Sequence, residues 1–300
     1  MGQKNSTFAL MKRGYQGYLL AAPFFTLFFL FTVIPVVMAI GLSFTSFNML
    51  QIPMFVGWEN YRRLFFENEI FIIALQNTLI FAVVTGPISY VLCFGVAWIV
   101  NELSPRIRAF MTLVFYAPSI SGNVFFIWAF FFSGDRYGLV NGHLLRLGLI
   151  SDPINWFRDP DYILPILIGV QIWLSLGVGF LAFIAGLQTV DKSLYEAGAV
   201  DGIQNRWQEL WFITLPSMKP MLMFGAVMQI TTSFAVAEIV TALAGMPTVN
   251  YAGDTVVTHL QEIGGVRFEM GYASAIATIL FFMMVGSNKA VQRLLRKVGT

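Results

Sequence analysis

Charged residues are scarce in this sequence. Asp, Glu, Lys and Arg make up 11% of the 300 residues, whereas hydrophobic residues make up 57%, and the mean hydropathy is +0.72. Charged residues normally make up about a quarter of the residues in a soluble domain, where they keep its surface in water. The shortage of charge therefore excludes a soluble globular protein and favours a chain that lies largely within a lipid bilayer.

Residues that hold metals, nucleotides or disulfides are also few. The one cysteine, Cys93, lies in an apolar run and cannot form an intrachain disulfide. The two histidines, His143 and His259, lie far apart and without other ligand residues nearby, so a metal site is not expected. The phosphate-binding pattern G-x-x-x-x-G-K-[ST] and any convincing catalytic set are missing. The chain is therefore predicted to be no enzyme and to bind no cofactor itself, and ATP would be hydrolysed by another chain.

Long apolar runs divide the chain into six predicted transmembrane helices, which belong to a single membrane domain, residues 1–300. An α-helix needs about 20 apolar residues to cross the hydrocarbon core. The runs that meet this requirement lie at about 18–42, 75–100, 109–132, 163–187, 221–243 and 272–291. The first run is too long for the core of a signal peptide and is expected to be retained. The predicted fold is all-α and integral to the membrane.

The basic residues are unevenly distributed between the two sets of loops. Six spans place both termini on one side, together with the loops 101–108 and 188–220. That side holds 12 of the 18 Lys and Arg residues, and the loops of the other side hold ten of the 16 acidic residues. Basic residues are enriched on the cytoplasmic side of membrane proteins. Both termini and the 188–220 loop are therefore predicted to be cytoplasmic.

Residues 194–220 form the longest polar segment with helical character in this apolar chain. A break is predicted at Gly202, between a helix over 193–200 and a second helix over 205–214 that ends at Pro216. The apolar face of the second helix would consist of Trp207, Leu210, Trp211 and Phe212. Two short amphipathic helices at a membrane surface suit docking into a groove of a soluble partner, but an ordinary interfacial loop has the same composition.

The same segment resembles the EAA loop in the membrane subunits of binding-protein-dependent ABC importers. That pattern reads Glu-Ala-Ala, three residues, Gly, nine residues, Ile, one residue, Leu-Pro. The positions that match it are Glu196, Ala197, Gly202, Ile213, Leu215 and Pro216. The departures are Gly198 in place of the second alanine, and ten residues instead of nine before Ile213. The resemblance implies that the matching residues couple this chain to a cytoplasmic ATPase.

Three further stretches resemble the carbohydrate-type, maltose-transporter-like permeases. They are FVGWENYRRLF at 55–65, YGLVN at 137–141 and MGYASA at 270–275. The resemblance implies the type I ABC importer permease fold, in the cytoplasmic (inner) membrane of a prokaryote. It also implies a second homologous permease, a cytoplasmic ATPase dimer that binds ATP and magnesium, an extracytoplasmic solute-binding protein, and a sugar moved by alternating access. Membrane lipid is the remaining expected partner, and nucleic acid is not expected.

Polar residues inside the predicted spans are the candidates for a substrate pathway. They are Glu238, Gln229, Thr232, Gln171, Trp173 and Asn123. Sugars are bound by hydroxyl, amide and carboxylate groups together with aromatic faces, but small polar and aromatic residues also pack ordinary membrane helices. Glu238 is an exception in spans that hold almost no ionisable group. It either lines a polar pathway, or lies near the interface or pairs with a neighbouring helix.

The same scarcity of charge separates the possible functions. An ion channel would need rings of charged or carbonyl groups, and a membrane enzyme would need clustered His, Asp or Glu at one face; the sequence contains neither pattern. A cationic solute such as a polyamine would favour several acids in the spans, whereas Glu238 is alone there. The sequence therefore predicts a permease for a sugar or oligosaccharide, with a non-sugar solute such as a polyamine or phosphate ester as the alternative.

Overall fold

The structure is a computed structural model that describes residues 15–122 and 124–296. Its α-helices in chain order are α1 (Tyr15–Phe28), α2 (Ile34–Leu42), α3 (Glu59–Phe66), α4 (Glu69–Asn101), α5 (Pro105–Ile120), α6 (Phe125–Phe131), α7 (Leu139–Arg146), α8 (Pro160–Leu174), α9 (Val178–Thr189), α10 (Lys192–Val200), α11 (Arg206–Glu209), α12 (Leu215–Ser217), α13 (Lys219–Phe234), α14 (Glu238–Leu243), α15 (Val256–Gln261) and α16 (Met270–Leu295). Three π-helical turns, Phe29–Val33, Leu210–Thr214 and Glu262–Val266, and a 3-10 turn, Val249–Tyr251, connect some of them. The described strands are β1 (Thr45–Ser46) and β2 (Met54–Phe55), an antiparallel pair.

Four helical segments of the described chain are long and apolar enough to cross a membrane. They are Leu19–Leu42, Glu69–Asn101, Pro160–Thr189 and Met270–Leu295. Two bent helix pairs bring the number to six if each pair is one span: Pro105–Ile120 with Phe125–Phe131, and Arg206–Ser217 with Lys219–Phe234. The predicted all-α membrane fold is therefore confirmed.

The bundle packs around α4. Asn68 caps the start of this helix, because its side chain accepts a hydrogen bond from the Phe71 backbone N–H at 2.9 Å. Along its length α4 contacts α9 and α13, and the shared core includes Cys93 of α4 with Phe180 and Phe183 of α9. The rings in this core are fully buried. Their packing fixes how the three helices lie against one another.

The two ends of α4 define two faces of the bundle. At its start, the Asn68 side-chain amide donates to the Tyr272 hydroxyl at 2.8 Å, so α4 and α16 begin on the same face. Just beyond its end, Glu102 pairs with Arg206 at 2.8 Å, so the segment between α9 and α13 lies on the opposite face. We call these the Asn68 face and the Glu102 face.

Three of the predicted spans are divided into two helices. Residues 109–132 contain the break between α5 and α6, residues 163–187 the break between α8 and α9, and residues 221–243 the break between α13 and α14. The first two breaks contain Gly122 and Gly177, which weaken a helix interior. The third break has the sequence Ala-Val-Ala, which the sequence alone does not mark as a break.

The stretches FVGWENYRRLF and MGYASA meet on the Asn68 face. Arg63 pairs with Glu269 at 2.6 Å, and its guanidinium lies 4.3 Å from the centre of the Tyr272 ring. The hydrogen bond to Glu269 raises the pKa of Arg63. The Asn60 side-chain amide donates to the carbonyls of Ser43 and Thr45 at 2.8 and 2.9 Å. These contacts join the loop after the first span to the start of the last span.

Candidate functional site

The segment between α9 and α13, which we call the EAA-like loop (residues 192–217), is built from locally specified helices. Asp191 caps α10 by accepting from the Ser193 backbone N–H at 2.9 Å, and this hydrogen bond holds the pKa of the Asp191 carboxyl below its usual value. Asn205 caps α11 in the same way, accepting from the Gln208 N–H at 2.9 Å. Each cap satisfies a backbone donor that the helix itself leaves free.

A left-handed turn at Gly202 joins the two helices of the EAA-like loop. Gly202 has a φ of 93°. The Ile203 N–H donates to the Gly198 carbonyl at 2.9 Å, and the Gly202 N–H donates to the Ala199 carbonyl at 3.4 Å. This pair of bonds is a Schellman motif, which ends a helix at a residue that tolerates positive φ. No described atom lies within 4 Å of the place a Cβ would take on Gly202, so the backbone conformation alone favours glycine there.

The two departures from the EAA pattern have structural explanations. Gly198 is buried, and a Cβ added there would lie 2.6 Å from Ile213 Cδ1, so glycine lets the two helices pack closely. The additional residue before Ile213 falls in the π-helical turn Leu210–Thr214, where the Leu215 N–H donates to the Leu210 carbonyl. Because a π turn takes up more residues than an α turn, it absorbs an inserted residue without displacing the helix that follows.

Pro216 does not end the second helix, contrary to the sequence prediction. α11, the π turn and α12 run without a break from Arg206 to Ser217. Pro216 lies in the last turn of this run, so its missing N–H removes one helical hydrogen bond without ending the helix. The helix then bends by 81° into α13. The bend places the EAA-like loop across the end of the bundle.

Exposure divides the side chains of the EAA-like loop into two sets. The exposed set includes Glu196, Ala197, Trp207, Trp211 and Phe212. The three aromatic rings are 62–71% exposed. Leu210 and Ile213 are buried, so the prediction that Leu210 belongs to the outer apolar face is wrong: the helix turns this side chain towards the bundle. The exposed surface therefore combines the Glu196 carboxylate with three large aromatic side chains.

Contacts with α4 hold the EAA-like loop on the Glu102 face. Arg206 pairs with Glu102 and with Glu209, each at 2.8 Å, and the Glu209 hydrogen bond raises the pKa of Arg206. The ring centres of Trp207 and Trp98 are 5.3 Å apart. Exposed ion pairs contribute at most about 1 kcal/mol. The contact between the two tryptophan rings adds to the attachment.

A second candidate site lies where the three interrupted spans meet. This cavity of about 370 Å³, which we call the helix-break cavity, is lined by residues flanking all three breaks. Four of the sequence candidates line it: Gln171, Gln229, Thr232 and Glu238. The other polar side chains that line it are Tyr116, Ser119, Ser121 and Ser175. Among the described lining residues, Glu238 is the only carboxylate, and it is exposed.

Gln229 has a structural role at this cavity besides lining it. Its side-chain amide donates to the Ser175 carbonyl at 3.3 Å and to Cys93 Sγ at 3.1 Å. The Cys93 thiol also donates to the Ser175 carbonyl, at 3.2 Å. Ser175 follows α8 directly, so these bonds satisfy a carbonyl at the break between α8 and α9. The sequence gives no signal for this arrangement, because its members come from three separate helices.

The remaining two candidates do not join the described site. Trp173 lies outside the set of residues that line the helix-break cavity, and its ring packs edge-on against Trp128 with ring centres 5.3 Å apart. Packing is the role that its position supports. Asn123 falls outside the described residues.

The chain is similar to known transport proteins over most of its length. Residues 96–298 match the family described as "Binding-protein-dependent transport system inner membrane component". The chain is 32% identical over 285 residues to the probable ABC transporter permease protein YesP of Bacillus subtilis, covering 92% of this chain and 89% of that protein. It is 32% identical over 216 residues to the lactose transport system permease protein LacF of Rhizobium radiobacter, covering 71% and 72% of the two chains.

A solved structure has the same fold over nearly the whole chain. It is a chain from the crystal structure of a bacterial ABC transporter involved in the import of the acidic polysaccharide alginate. The TM-score is 0.74 at 26% sequence identity, and the alignment covers 97% of this chain and 99% of that one. The predicted resemblance to sugar-type permeases is confirmed by these matches.

Proposed function

Because the chain belongs to the family of binding-protein-dependent transport system inner membrane components, we propose that it is a permease subunit of an ATP-driven importer of a sugar or oligosaccharide. An extracytoplasmic binding protein delivers the solute, and the permease passes it across the membrane by alternating access. ATP and magnesium bind to a separate ATPase dimer, and a second homologous permease completes the pathway.

The helix-break cavity is the observation that carries this proposal. Three interrupted spans bring hydroxyl and amide side chains and the Glu238 carboxylate around one cavity. Interrupted membrane helices are typical of solute sites in transporters, because irregular backbone is tolerated only where it lines a cavity or is buried in protein. Hydroxyl and amide groups match the many hydroxyls of a saccharide. A single carboxylate is fewer than a polyamine would need, and a phosphate ester would be repelled by it.

Transport in cells missing this chain tests the proposal. Uptake of labelled neutral di- and oligosaccharides should be lost on deletion and return with the wild-type gene. A polyamine and a glycerol phosphate serve as probes for the alternative solutes. Loss of polyamine or phosphate-ester uptake with all saccharide uptake intact would contradict the sugar assignment but leave the importer assignment standing.

The EAA-like loop supports a role in coupling. Its exposed carboxylate Glu196 and the exposed rings of Trp207, Trp211 and Phe212 form a rigid projection on the Glu102 face. Aromatic side chains that fill a pocket carry much of the energy in protein interfaces. The loop therefore seats in a groove of the ATPase and transmits its motion, and the matching residues Glu196, Ala197, Gly202, Ile213, Leu215 and Pro216 maintain that shape. The distribution of basic residues supports a cytoplasmic location for this face and for both termini.

Glu238→Gln should reduce uptake without reducing the amount of protein in the membrane. Glutamine keeps an acceptor oxygen but loses the charge, and a hydrogen bond to a charged group is roughly twice as strong as a neutral one, so kcat/KM for uptake should fall severalfold to about tenfold. Asp152→Asn is the matched control, because Asp152 is exposed in a loop and does not line the cavity. Wild-type uptake by Glu238→Gln would remove Glu238 from the pathway.

The chain expressed alone should give little stable protein compared with expression beside a second permease. The hydrophobic window of Leu19–Leu42 is 0% buried by the rest of the described chain, and its phenylalanine and leucine side chains are widely exposed. A homologous subunit would cover part of this surface and raise the melting temperature in detergent. The measurement is the yield and melting temperature of the purified chain with and without the co-expressed partner. Equal values would contradict the need for a second permease.

A further inference from the structure

The loop between α14 and α15, residues 244–255, is tied to α4 by buried hydrogen bonds. The side-chain amide of Asn77 donates to the carbonyls of Tyr251, Ala252 and Asp254 at 3.2, 3.1 and 2.9 Å. Next to it, Thr78 Oγ1 accepts from the Val256 backbone N–H at 2.8 Å. Asn77 and Thr78 are 7% and 1% exposed, so water does not compete for these bonds.

Thr255, at the end of this loop, reaches the break between α13 and α14. Its hydroxyl donates to the Val236 carbonyl at 2.5 Å. Thr255 and Val236 are 1% and 4% exposed. Because α14 begins at Glu238, the Val236 carbonyl lies before the regular hydrogen bonds of that helix and gains a partner from Thr255. The break itself contains no glycine or proline to stabilise it.

We infer that Thr255 is a positioning residue for Glu238. Asn77 of α4 holds the loop that ends at Thr255, and Thr255 in turn holds the Val236 carbonyl. Glu238 follows Val236 by two residues and lines the helix-break cavity. The inference rests on the proposed function, since it assigns Thr255 to the same solute pathway. Ile239 and Val240 are buried in the core beside Val236, and this packing is the competing way to hold α14 in place.

A second bond of Thr255 has to be separated from the first. Thr255 also caps α15: its Oγ1 accepts from the Thr258 N–H at 3.3 Å, and Thr258 Oγ1 accepts from the Thr255 N–H at 2.8 Å. Thr255→Val removes both the cap and the bond to Val236. Thr258→Val removes the reciprocal half of the capping box, in which Thr258 Oγ1 accepts from the Thr255 N–H, and leaves the bond to Val236 in place. Thr255→Ser keeps the hydroxyl and should restore both bonds.

The position of residue 238 can be measured without transport. Cys93 is 0% exposed, so in a Glu238→Cys variant of the whole importer the introduced thiol is the one that a membrane-impermeant maleimide reaches first. Thr255→Val should change the labelling rate of this thiol at least threefold. Thr258→Val and Thr255→Ser should leave the rate within a factor of two. An unchanged rate with Thr255→Val overturns the inference and leaves the packing of Ile239 and Val240 as the cause.

Measurements of uptake then test whether the position of residue 238 matters for solute transport. Thr255→Val should lower kcat/KM for uptake about fivefold, whereas Thr258→Val should lower it less than twofold. In a Glu238→Gln background, Thr255→Val should cause no further loss of uptake. Equal losses in both backgrounds would mean general damage and overturn the inference. A third outcome is a changed labelling rate together with normal uptake in both Glu238→Gln and Thr255→Val. It would contradict the role of the cavity as the solute pathway in the proposed function, but Thr255 would remain the residue that positions α14.

Discussion

Replacing Asn77 with aspartate should abolish uptake and leave little folded protein. The two side chains have nearly the same shape, but ionised aspartate has no hydrogen to donate, and three carbonyls converge on this amide at 2.9–3.2 Å. The Tyr251 carbonyl keeps a bond from the Asp254 N–H at 3.1 Å, but the carbonyls of Ala252 and Asp254 lose the Asn77 donor. Each buried carbonyl left without a donor costs about 1–3 kcal/mol, and a charged group facing it costs more. The expected loss of stability is therefore on the order of 3 kcal/mol or more, which is a large part of the stability of a typical domain.

Asn48→Asp is the matched control for this substitution. Asn48 is exposed on the same face, and its side-chain oxygen accepts from the N–H groups of Leu50 and Gln51 at 3.2 and 3.0 Å. An aspartate accepts equally well, so Asn48→Asp should behave as wild type. The measurement is the amount of monodisperse protein in detergent and its melting temperature. A normal melting temperature for Asn77→Asp would show that the α14–α15 loop is held by other contacts.

The structural role of Asn77 could not be predicted from the sequence. It lies inside an apolar run that was predicted to be a span, and nothing near it in sequence reveals its partners, which are about 175 residues away. The same holds for the α13–α14 break, because Ala235, Val236 and Ala237 do not interrupt a helix by themselves. Tertiary hydrogen bonds override local preference at both places. The apolar runs therefore predict where spans lie, but not where they are interrupted.

The stretches that resemble sugar-type permeases, by contrast, could be recognised from the sequence without knowledge of the contacts that their residues make. In YGLVN, Asn141 is fully buried: its amide nitrogen donates to three carbonyls, Ser133, Asp135 and Ile154, and its oxygen accepts from Trp156 Nε1 at 3.1 Å. In FVGWENYRRLF, Asn60 and Arg63 hold the loop after the first span. These residues organise loops on the Asn68 face and do not line the helix-break cavity. Motifs that identify the family here report on its architecture rather than on its solute.

The EAA-like loop was the most predictable part of the candidate site, because its signals are local. Helix formers, a glycine in a helix-ending turn and N-cap residues lie within one segment, and the structure contains two helices joined at Gly202. The burial of Leu210 was not predictable, since the local pattern does not show which side of the helix the rest of the chain covers.

Gly202→Val should leave the spans inserted but weaken assembly with the ATPase or uncouple hydrolysis from uptake. Left-handed backbone conformation costs a residue with a β-carbon roughly 1–2 kcal/mol, and a β-branched side chain is poorly tolerated there. Relief of that strain would open the Schellman motif and change the angle between α10 and the helix that begins at Arg206. Because coupling depends on a rigid projection, a small change of angle should reduce coupled uptake severalfold or more.

A matched glycine on the other side of the molecule separates this effect from general strain. Gly148 also has positive φ, 67°, and no described atom within 4 Å of an added Cβ, but it lies in the loop between α7 and α8. Gly148→Val should therefore carry the same backbone cost and leave ATPase assembly unchanged. Glu196→Ala provides the complementary variant, since it removes the exposed carboxylate without altering the backbone of the turn.

The decisive measurements are capture of the ATPase by the tagged permease pair and ATP hydrolysis stimulated by the binding protein in the reconstituted complex. Gly202→Val should lower capture, stimulation or both, while Gly148→Val matches wild type. Glu196→Ala should weaken the complex through loss of a charged hydrogen bond at the interface, for which truncating one buried partner costs about 2–5 kcal/mol. Normal capture and normal stimulation in both Gly202→Val and Glu196→Ala would mean that this loop only covers the end of the bundle, because a coupling element cannot lose its shape and its charge without consequence.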